Sequence, residues 1–502
     1  MPKKIKFNYY KCLFALILMG IGIFLSVSSV RANQDLISLF PIENYNQNLN
    51  DWIKPGDSEG DKPLLPAPMQ EHHLAEFYKH YYGNFSPWDA GYINQLTHKP
   101  EPDNLQTIER SIILSFNNQN APAESMGYGA NFRPYSAEWI NTIADNINLS
   151  QLANLNYQAE NRAITIDNLQ ARGLPTEDVF FYSYKLPGEG YPFDNLQMST
   201  VWAGTPVYIF AETKDHSWSL VLTPEFIGWV KTNGLARANN SFIHTWTHAA
   251  KKSLIAIIRT KASINDENHH FHFLAYVGSV FPGELSTSEF KIMIPVANTD
   301  HQATIKYAQI STEDAVIMPW SATAHHFSIV MSSLIGRPYG WGGMYFYNDC
   351  SAELKSLLTP FGLWLPRHSS DQVYVGKMMD LGSASPEQRL SYLTENGHRF
   401  LTLVYIGGHV FLYIGNFPNP QDPAHPLALS YQNLWGLSPR PAVRRAVVGK
   451  AVIFPLLLQY SEDTSLISPA AKKHFQVSYL DELPNYQLKL ESIDLRALMD
   501  MS

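Results

Sequence analysis

Behind an apolar N-terminal leader, this chain of 502 residues carries a single cysteine, Cys350; the other, Cys12, falls inside the leader. One thiol cannot make an internal disulfide, so buried apolar surface alone must hold the fold. The chain is long enough for that, since roughly 150 residues per domain predicts about three domains. Its 45% of apolar residues is ordinary for a folded protein. In the leader, Lys3, Lys4 and Lys6 make a positive start and Leu13 to Leu25 is almost wholly apolar. Val30-Arg31-Ala32 then places small side chains at a cut site, the pattern of a cleaved export signal. Counted from Cys12 to Val30, the same stretch has the length of an uncleaved anchor. The leader takes Lys3, Lys4, Lys6, Lys11 and Arg31 and no acid, so the formal charge of −8 becomes more negative without it. An acidic chain without a basic run is a poor binder of phosphate backbones, which excludes nucleic acid as a partner.

Composition divides the remainder. Residues 33–122, rich in Asn, Pro and Trp, with a helix expected over Gln70 to Tyr82, read as a strap lying over another domain. From Ala123 the pattern turns to short β-like runs, Ala163 to Ile166, Val207 to Phe210, Trp218 to Leu222 and Gly228 to Val230, parted by Gly/Pro turns such as Pro187-Gly188-Glu189-Gly190. A second set follows at Leu254–Arg259, Phe273–Val277 and Lys291–Val296. Short strands at close spacing predict two successive small β-barrels. Beyond about Ser311 come a helix over Ala322 to Ile335, a Gly-rich turn, a helix from Cys350 to Leu358, and strands at Phe400–Tyr405, His409–Ile414 and Leu427–Tyr431, an α+β plan. Pro455 onward reads as a tail packed across an earlier domain.

Cys350 is either a buried small hydrophobe or a nucleophile. Asp349 stands at the N-cap of its helix, which puts the thiol on the first turn, where the helix dipole and free N–H groups favour a thiolate and can hold an oxyanion. Gly340, Gly342 and Gly343 let the loop bend so that a substrate can approach. A thiolate needs a base, and with 18 histidines position must choose it. His409 opens an apolar strand after the Gly407-Gly408 turn. If that strand pairs antiparallel with Leu427–Tyr431, Gln432 lies beside the imidazole and accepts its hydrogen bond. The close-spaced histidines His269, His270 and His272, and the pair His325 and His326, have no Cys/Asp pattern that would suggest zinc, so no metal site is expected.

The motifs Pro338-Tyr339-Gly340-Trp341-Gly342-Gly343, Asp349-Cys350-Ser351, Leu365-Pro366-Arg367-His368-Ser369 with Gln372, Gly408-His409-Val410 and Leu434-Trp435-Gly436 resemble NlpC-type, papain-like cysteine peptidases. Leu174-Pro175-Thr176, the segment Pro187 to Asp194 with Gln197, and Gly228-Trp229-Val230 resemble a bacterial SH3-like domain. Tyr45-Asn46-Gln47 through Ser86-Pro87-Trp88 resembles the N-terminal stabilising segment of the γ-D-glutamyl-L-diamino-acid endopeptidase branch. The resemblance implies a multidomain chain with two small all-β SH3-like barrels followed by an α+β papain-like catalytic domain. The expected divisions are signal 1–32, stabilising segment 33–122, SH3-like domains 123–240 and 241–310, peptidase 311–460 and tail 461–502.

Carried over by position, Cys350 is the nucleophile, His409 the base and Gln432 the third polar residue, a position often held by His in this family. Asn433 is the nearest substitute for it. Tyr339, Asp349 and Ser351 would receive the free amine of an N-terminal L-Ala, with Trp341 beside them. Arg367 would support the site or meet a substrate carboxylate, and a structural ion pair is an equal reading. The implied activity is metal- and cofactor-free hydrolysis of the γ-D-glutamyl-diamino-acid bond of peptidoglycan stem peptides, by a monomer exported to the periplasm or cell envelope. Two alternatives remain: a wall-binding protein with weak or lost catalysis, for which Gln432 is the motivating feature, and an amidase or acyltransferase on the same scaffold.

Overall fold

The computed structural model describes residues 36–54, 56–419, 426–486 and 494–499. The leader and Cys12 lie outside the described residues. Among those described, no helix is long and apolar enough to cross a membrane.

Period-two patterning builds the first β-unit. Its seven-stranded sheet runs in the order Gln197–Val201, Leu169–Arg172, Ile227–Lys231, Trp218–Leu222, Pro206–Glu212, Arg162–Thr165, Leu235–Arg237. Successive side chains in a strand point to opposite faces. Val207, Ile209, Val221 and Val230 accordingly fill the interior of this unit. Their neighbours Tyr208, Phe210, Leu220, Leu222 and Trp229 face outward into a second, larger core. The N-terminal helices Ala67–Tyr81, Ala90–Thr97, Leu105–Ser115 and Ala137–Ile147 contribute Phe77, Ile93, Leu96, Ile108 and Ile140 to that same core. Strands covered on both faces need no polar alternation, which explains the fully buried Trp218–Leu222. The expected strap is therefore a layer of helices. It is pinned by Trp88, whose Nε1 donates to the Ala163 carbonyl (2.8 Å), and by Glu109, whose Oε1 accepts from Trp229 Nε1 (2.9 Å).

Helix Asn240–Lys252 leads into a five-stranded sheet in the order Ala303–Ser311, Glu289–Ala297, Val280–Ser286, Leu254–Ile257, Ala315–Met318, with the hairpin Ala262–Asn265/Phe271–Ala275 beside it. Ile255, Ile257, Phe273, Phe281, Ile292 and Ile310 make its own core. The sheet reaches past the expected boundary at 310, because Ala315–Met318 pairs antiparallel with Leu254–Ile257.

The third sheet also has seven strands, ordered Ile37–Leu39, Arg445–Pro455, Leu427–Leu437, Val410–Phe417, Thr402–Tyr405, Gln476–Tyr479, Lys377–Asp380. Helix Cys350–Leu358 packs on Val410–Phe417 and Leu427–Leu437 through Leu354, Leu357 and Leu358, all fully buried. Burying a Leu side chain contributes about 1.5–3 kcal/mol, so these three anchor the helix firmly.

The expectation that the chain beyond Pro455 lies across an earlier domain is corrected for most of its length. Gln476–Tyr479 is an interior strand, bonded to Thr402–Tyr405 on one side and Lys377–Asp380 on the other, with Val477 and Tyr479 in the local core. Its alternating polar and apolar residues suit that place. Helix Leu495–Leu498 does reach back: Arg496 Nε donates to Asp103 Oδ1 at 2.9 Å, beside helix Leu105–Ser115. The first strand is also remote in sequence, pairing parallel with Arg445–Pro455.

Candidate active site

Helix Cys350–Leu358 starts as its sequence predicts. Asp349 adopts an extended backbone and its side chain accepts the Ala352 N–H. Cys350 follows on the first turn and is buried, at 6% exposure. The backbone N–H groups of Val410 and Ser351 lie near enough to the thiol to favour its charged form. Val410 is the residue after His409, so the strand start and the helix start converge on the sulfur.

The expected antiparallel pairing is present: Leu412 lies opposite Tyr431. Counting back from that pair, Gln432 falls on the face of the sheet that holds His409, and His409 Nε2 lies 2.7 Å from Gln432 Oε1. Asn433 points to the other face, as strand geometry requires. Its Nδ2 donates to the Asn348 carbonyl (2.8 Å), beside a buried network in which Asn348 Nδ2 donates to Glu353 Oε2 (2.8 Å) and the Tyr431 hydroxyl to Glu353 Oε1. Asn433 is thus not the partner of the imidazole.

The structure reverses the electrostatic expectation for the resting thiol. Burial, then the adjacent Asp349 carboxylate, push the Cys350 thiol up to about 12, outweighing the N–H groups and Arg367. Burial also lowers His409 to about 4; the Gln432 hydrogen bond works against this, and Lys472 adds to the lowering. At neutral pH the site therefore holds a thiol and a neutral imidazole. Burial raises the Tyr339 phenol, as do Cys350 and Asp349.

Asp349 is more heavily occupied than its sequence position suggests. Its Oδ1 accepts from Ala352 N (3.0 Å), Ser351 Oγ (3.2 Å) and Arg367 Nη1 (3.2 Å), and its Oδ2 from Gly342 N (3.2 Å) and Arg367 Nη2 (2.5 Å). The guanidinium is buried too, and it also holds Ser351 Oγ and Ser199 Oγ at 2.7 Å. Of the readings open for Arg367, the structural ion pair is the one observed, and it offers no free face to a substrate carboxylate.

The glycine loop also packs closely against the first β-unit. Gly342 and Gly343 have φ of +58° and +79°, and a Cβ on them would come within 2.3 Å of the Gln197 carbonyl and 2.2 Å of Thr200 Oγ1. Only glycine allows the loop to lie this close to strand Gln197–Val201. Gln197 Nε2 reciprocates by donating to the Gly342 carbonyl (2.9 Å). Phe193 of the same β-unit meets Trp341 edge-on at 5.2 Å and Trp435 at 5.0 Å.

The result is a cavity of about 380 Å³ with one wall from the first β-unit, Gln197 and Met198, and the other from Tyr339, Trp341, Gly342, Asp349, Cys350, Ser351 and Arg367. His368, Ser369, Ser370, Tyr405 and Gly408 complete it. Sequence reasoning assigned no role to these five or to Met198; the run of hydroxyls following Arg367 was the available signal. A cleft of about 440 Å³ beside Trp88 and His248 is lined by no cysteine. Among the described residues, no group of three His, Cys, Asp or Glu side chains is arranged to hold a metal; His272 and Lys306 instead turn to the Asp266 carboxylate.

Fold and site together define a multidomain mixed α/β protein in which Cys350, the one thiol among the described residues, opens a helix at the wall of a β-unit. Residues 180–231, inside that β-unit, match the family model described as SH3 domain (SH3b1 type). Over 89% of its length the chain superposes on 99% of an NlpC/P60 endopeptidase from Photobacterium damselae subsp. piscicida, with 29% identity and a TM-score of 0.75. More particularly, then, this is a chain of NlpC/P60-like fold carrying an SH3b-type domain. An NlpC/P60 family protein from Bacillus cereus ATCC 10987 aligns at 16% identity over 61% of this chain and 98% of its own, but with a TM-score of only 0.40. A search of curated proteins found no match.

Proposed function

We infer that this protein is a cysteine endopeptidase of peptidoglycan, cleaving the γ-D-glutamyl-diamino-acid bond of stem peptides. The observation that carries the reading is Cys350, on the first turn of its helix, lining a cavity together with Gly408, the residue before His409, whose ring lies on Gln432. The neighbour from Photobacterium is itself described as an NlpC/P60 endopeptidase, which supports the reaction class. The SH3b-type match supports a wall polymer as substrate and an envelope or extracellular place of work. The five-stranded unit reads as a second SH3-like domain, and the peptidase unit runs from about residue 319 through the Gln476–Tyr479 strand.

In this mechanism His409 takes the thiol proton as Cys350 attacks the γ-carbonyl, because burial disfavours a resting ion pair. The Cys350 sulfur forms a thioester as the amine of the diamino acid leaves, carrying the proton from His409. Water, deprotonated by the same imidazole, then hydrolyses the thioester. Gln432 fixes the ring and Arg367 holds Asp349 and Ser351 in place. The free amine of an N-terminal L-Ala would lie against Asp349, Tyr339 and the hydroxyls of the pocket floor, with Trp341 at its side. Since Arg367 already neutralises much of Asp349, amine selectivity rests on the hydroxyls and on the closed wall of the cavity as much as on charge.

The test is incubation with L-Ala-γ-D-Glu-meso-diaminopimelate and its N-acetylated twin, read by mass spectrometry. Release of L-Ala-γ-D-Glu from the free-amine peptide alone, lost in Cys350→Ala, establishes bond and selectivity. Equal cleavage of both peptides removes the amine pocket. Cleavage of neither, by folded protein, refutes the endopeptidase and favours wall binding without catalysis.

A further inference from the structure

We propose that Ser430 is a positioning residue that sets the tautomer of His409 through the Gln432 amide; the inference rests on His409 acting as the base. Ser430 and Gln432 are two apart in strand Leu427–Leu437, so they share a face, and both are fully buried. Across the sheet, Ser430 is in register with Phe454. Three hydrogen bonds form a line: Ser430 Oγ to the Phe454 carbonyl (2.8 Å), Gln432 Nε2 to Ser430 Oγ (2.8 Å), and His409 Nε2 to Gln432 Oε1 (2.7 Å).

The direction of each bond follows from what its atoms can do. A backbone carbonyl only accepts, so the single hydroxyl proton of Ser430 is committed to Phe454. Ser430 Oγ can then only accept, which turns the NH₂ of Gln432 toward it and the amide oxygen toward His409. That oxygen likewise only accepts, so the proton between it and the ring belongs to Nε2. A neutral imidazole carries one N–H, and Nδ1 is left with a free lone pair. Nδ1 is therefore the nitrogen that receives the thiol proton.

A carboxylate in the third position, which only accepts, would set this polarity unaided. An amide has two ends and can flip, and a flipped Gln432 would force the proton onto Nδ1 and abolish the base. Ser430 blocks the flip, because it has no second proton to offer an inward-facing amide oxygen. The hydroxyl two residues upstream thus supplies the directionality that a glutamine lacks.

The experiment compares wild type, Ser430→Ala and Ser430→Thr in the full mature chain, by ¹⁵N NMR of histidine-labelled protein near pH 7 and by steady-state kinetics on the free-amine tripeptide. His409 is assigned by its absence from His409→Ala. In wild type and Ser430→Thr, Nε2 bears the proton and Nδ1 is bare. In Ser430→Ala both tautomers appear, kcat falls about tenfold and KM is unchanged, as expected when a buried hydrogen-bond pair is left incomplete. A proton on Nδ1 in the wild type overturns the proposal, as does Ser430→Ala with an unchanged tautomer and kcat. Should Ser430→Ala fail to fold, the wild-type and Ser430→Thr tautomers decide. If the wild type turns over no peptide, the functional reading fails while the NMR result still tests the relay.

Discussion

Replacing Glu109 by Gln should change the pH dependence of this protein's stability, with the variant gaining on the wild type as pH rises. Glu109 lies in the N-terminal helix layer, fully buried, with Oε1 on Trp229 Nε1 and, among the described residues, no partner for Oε2. Burial raises its carboxyl from 4.5 to about 7, against the Trp229 hydrogen bond. A carboxyl with a raised folded pKa is favoured in its protonated form. Its contribution is fully present below the unfolded value of 4.5 and is lost as pH rises through about 7. At about 1.4 kcal/mol per pKa unit, the shift amounts to about 3 kcal/mol of stability forfeited at pH 8. The amide of Glu109→Gln keeps an acceptor for the indole and cannot ionise. Its NH₂ is left without a partner, which costs about 1–3 kcal/mol at every pH. The variant should therefore match or trail the wild type at pH 4.5 and gain on it by about 3 kcal/mol by pH 8. Urea unfolding, followed by tryptophan fluorescence at half-unit pH steps, gives the difference curve. A difference that does not change between pH 4.5 and 8, or that falls as pH rises, refutes the reasoning.

Three further outcomes follow from the site. Alkylation of Cys350 by iodoacetamide should keep accelerating from pH 7 through pH 10, because the thiolate fraction grows toward a pKa of about 12; a plateau below pH 7 would show a preformed thiolate. Arg367→Met should destabilise the fold by about 3–5 kcal/mol, since it strands the buried Asp349 carboxylate, whereas Arg367→Met/Asp349→Asn should recover much of that loss in thermal unfolding. Gln432→Ala should lower kcat on the tripeptide by tenfold or more, while Asn433→Ala should cost stability and leave kcat within about twofold; the reverse ranking would reassign the third polar residue.

Much of the site could be read from sequence because it is local. Asp349 caps the helix it precedes, Cys350 takes the first turn, and the phase of one strand brings Gln432 to His409. Strand parity also separates Gln432 from Asn433. What escaped was set by chain remote in sequence. Asp349 looked like an open carboxylate because Arg367 reaches it from a separate loop. The helix dipole argued for a thiolate, but burial of the thiol outweighs it, in a cavity that takes one wall, Gln197 and Met198, from another β-unit. Gly342 and Gly343 announced a tight backbone without saying what pressed against it. The strand Gln476–Tyr479 was too short and isolated to claim a place in a sheet whose other members end at Pro455.

That late strand has a temporal consequence. Thr402–Tyr405, which carries the chain into the turn before His409, bonds on one side to Val410–Phe417 and on the other to Gln476–Tyr479. Ribosomes deliver these two neighbours far apart in time, and pairing segments distant in sequence is slow. A nascent chain can fold its β-units and even present Cys350 while the sheet behind His409 still has an open edge. On the proposed function, competence to cut waits on a strand made well after His409, so the nucleophile is in hand before its base is braced.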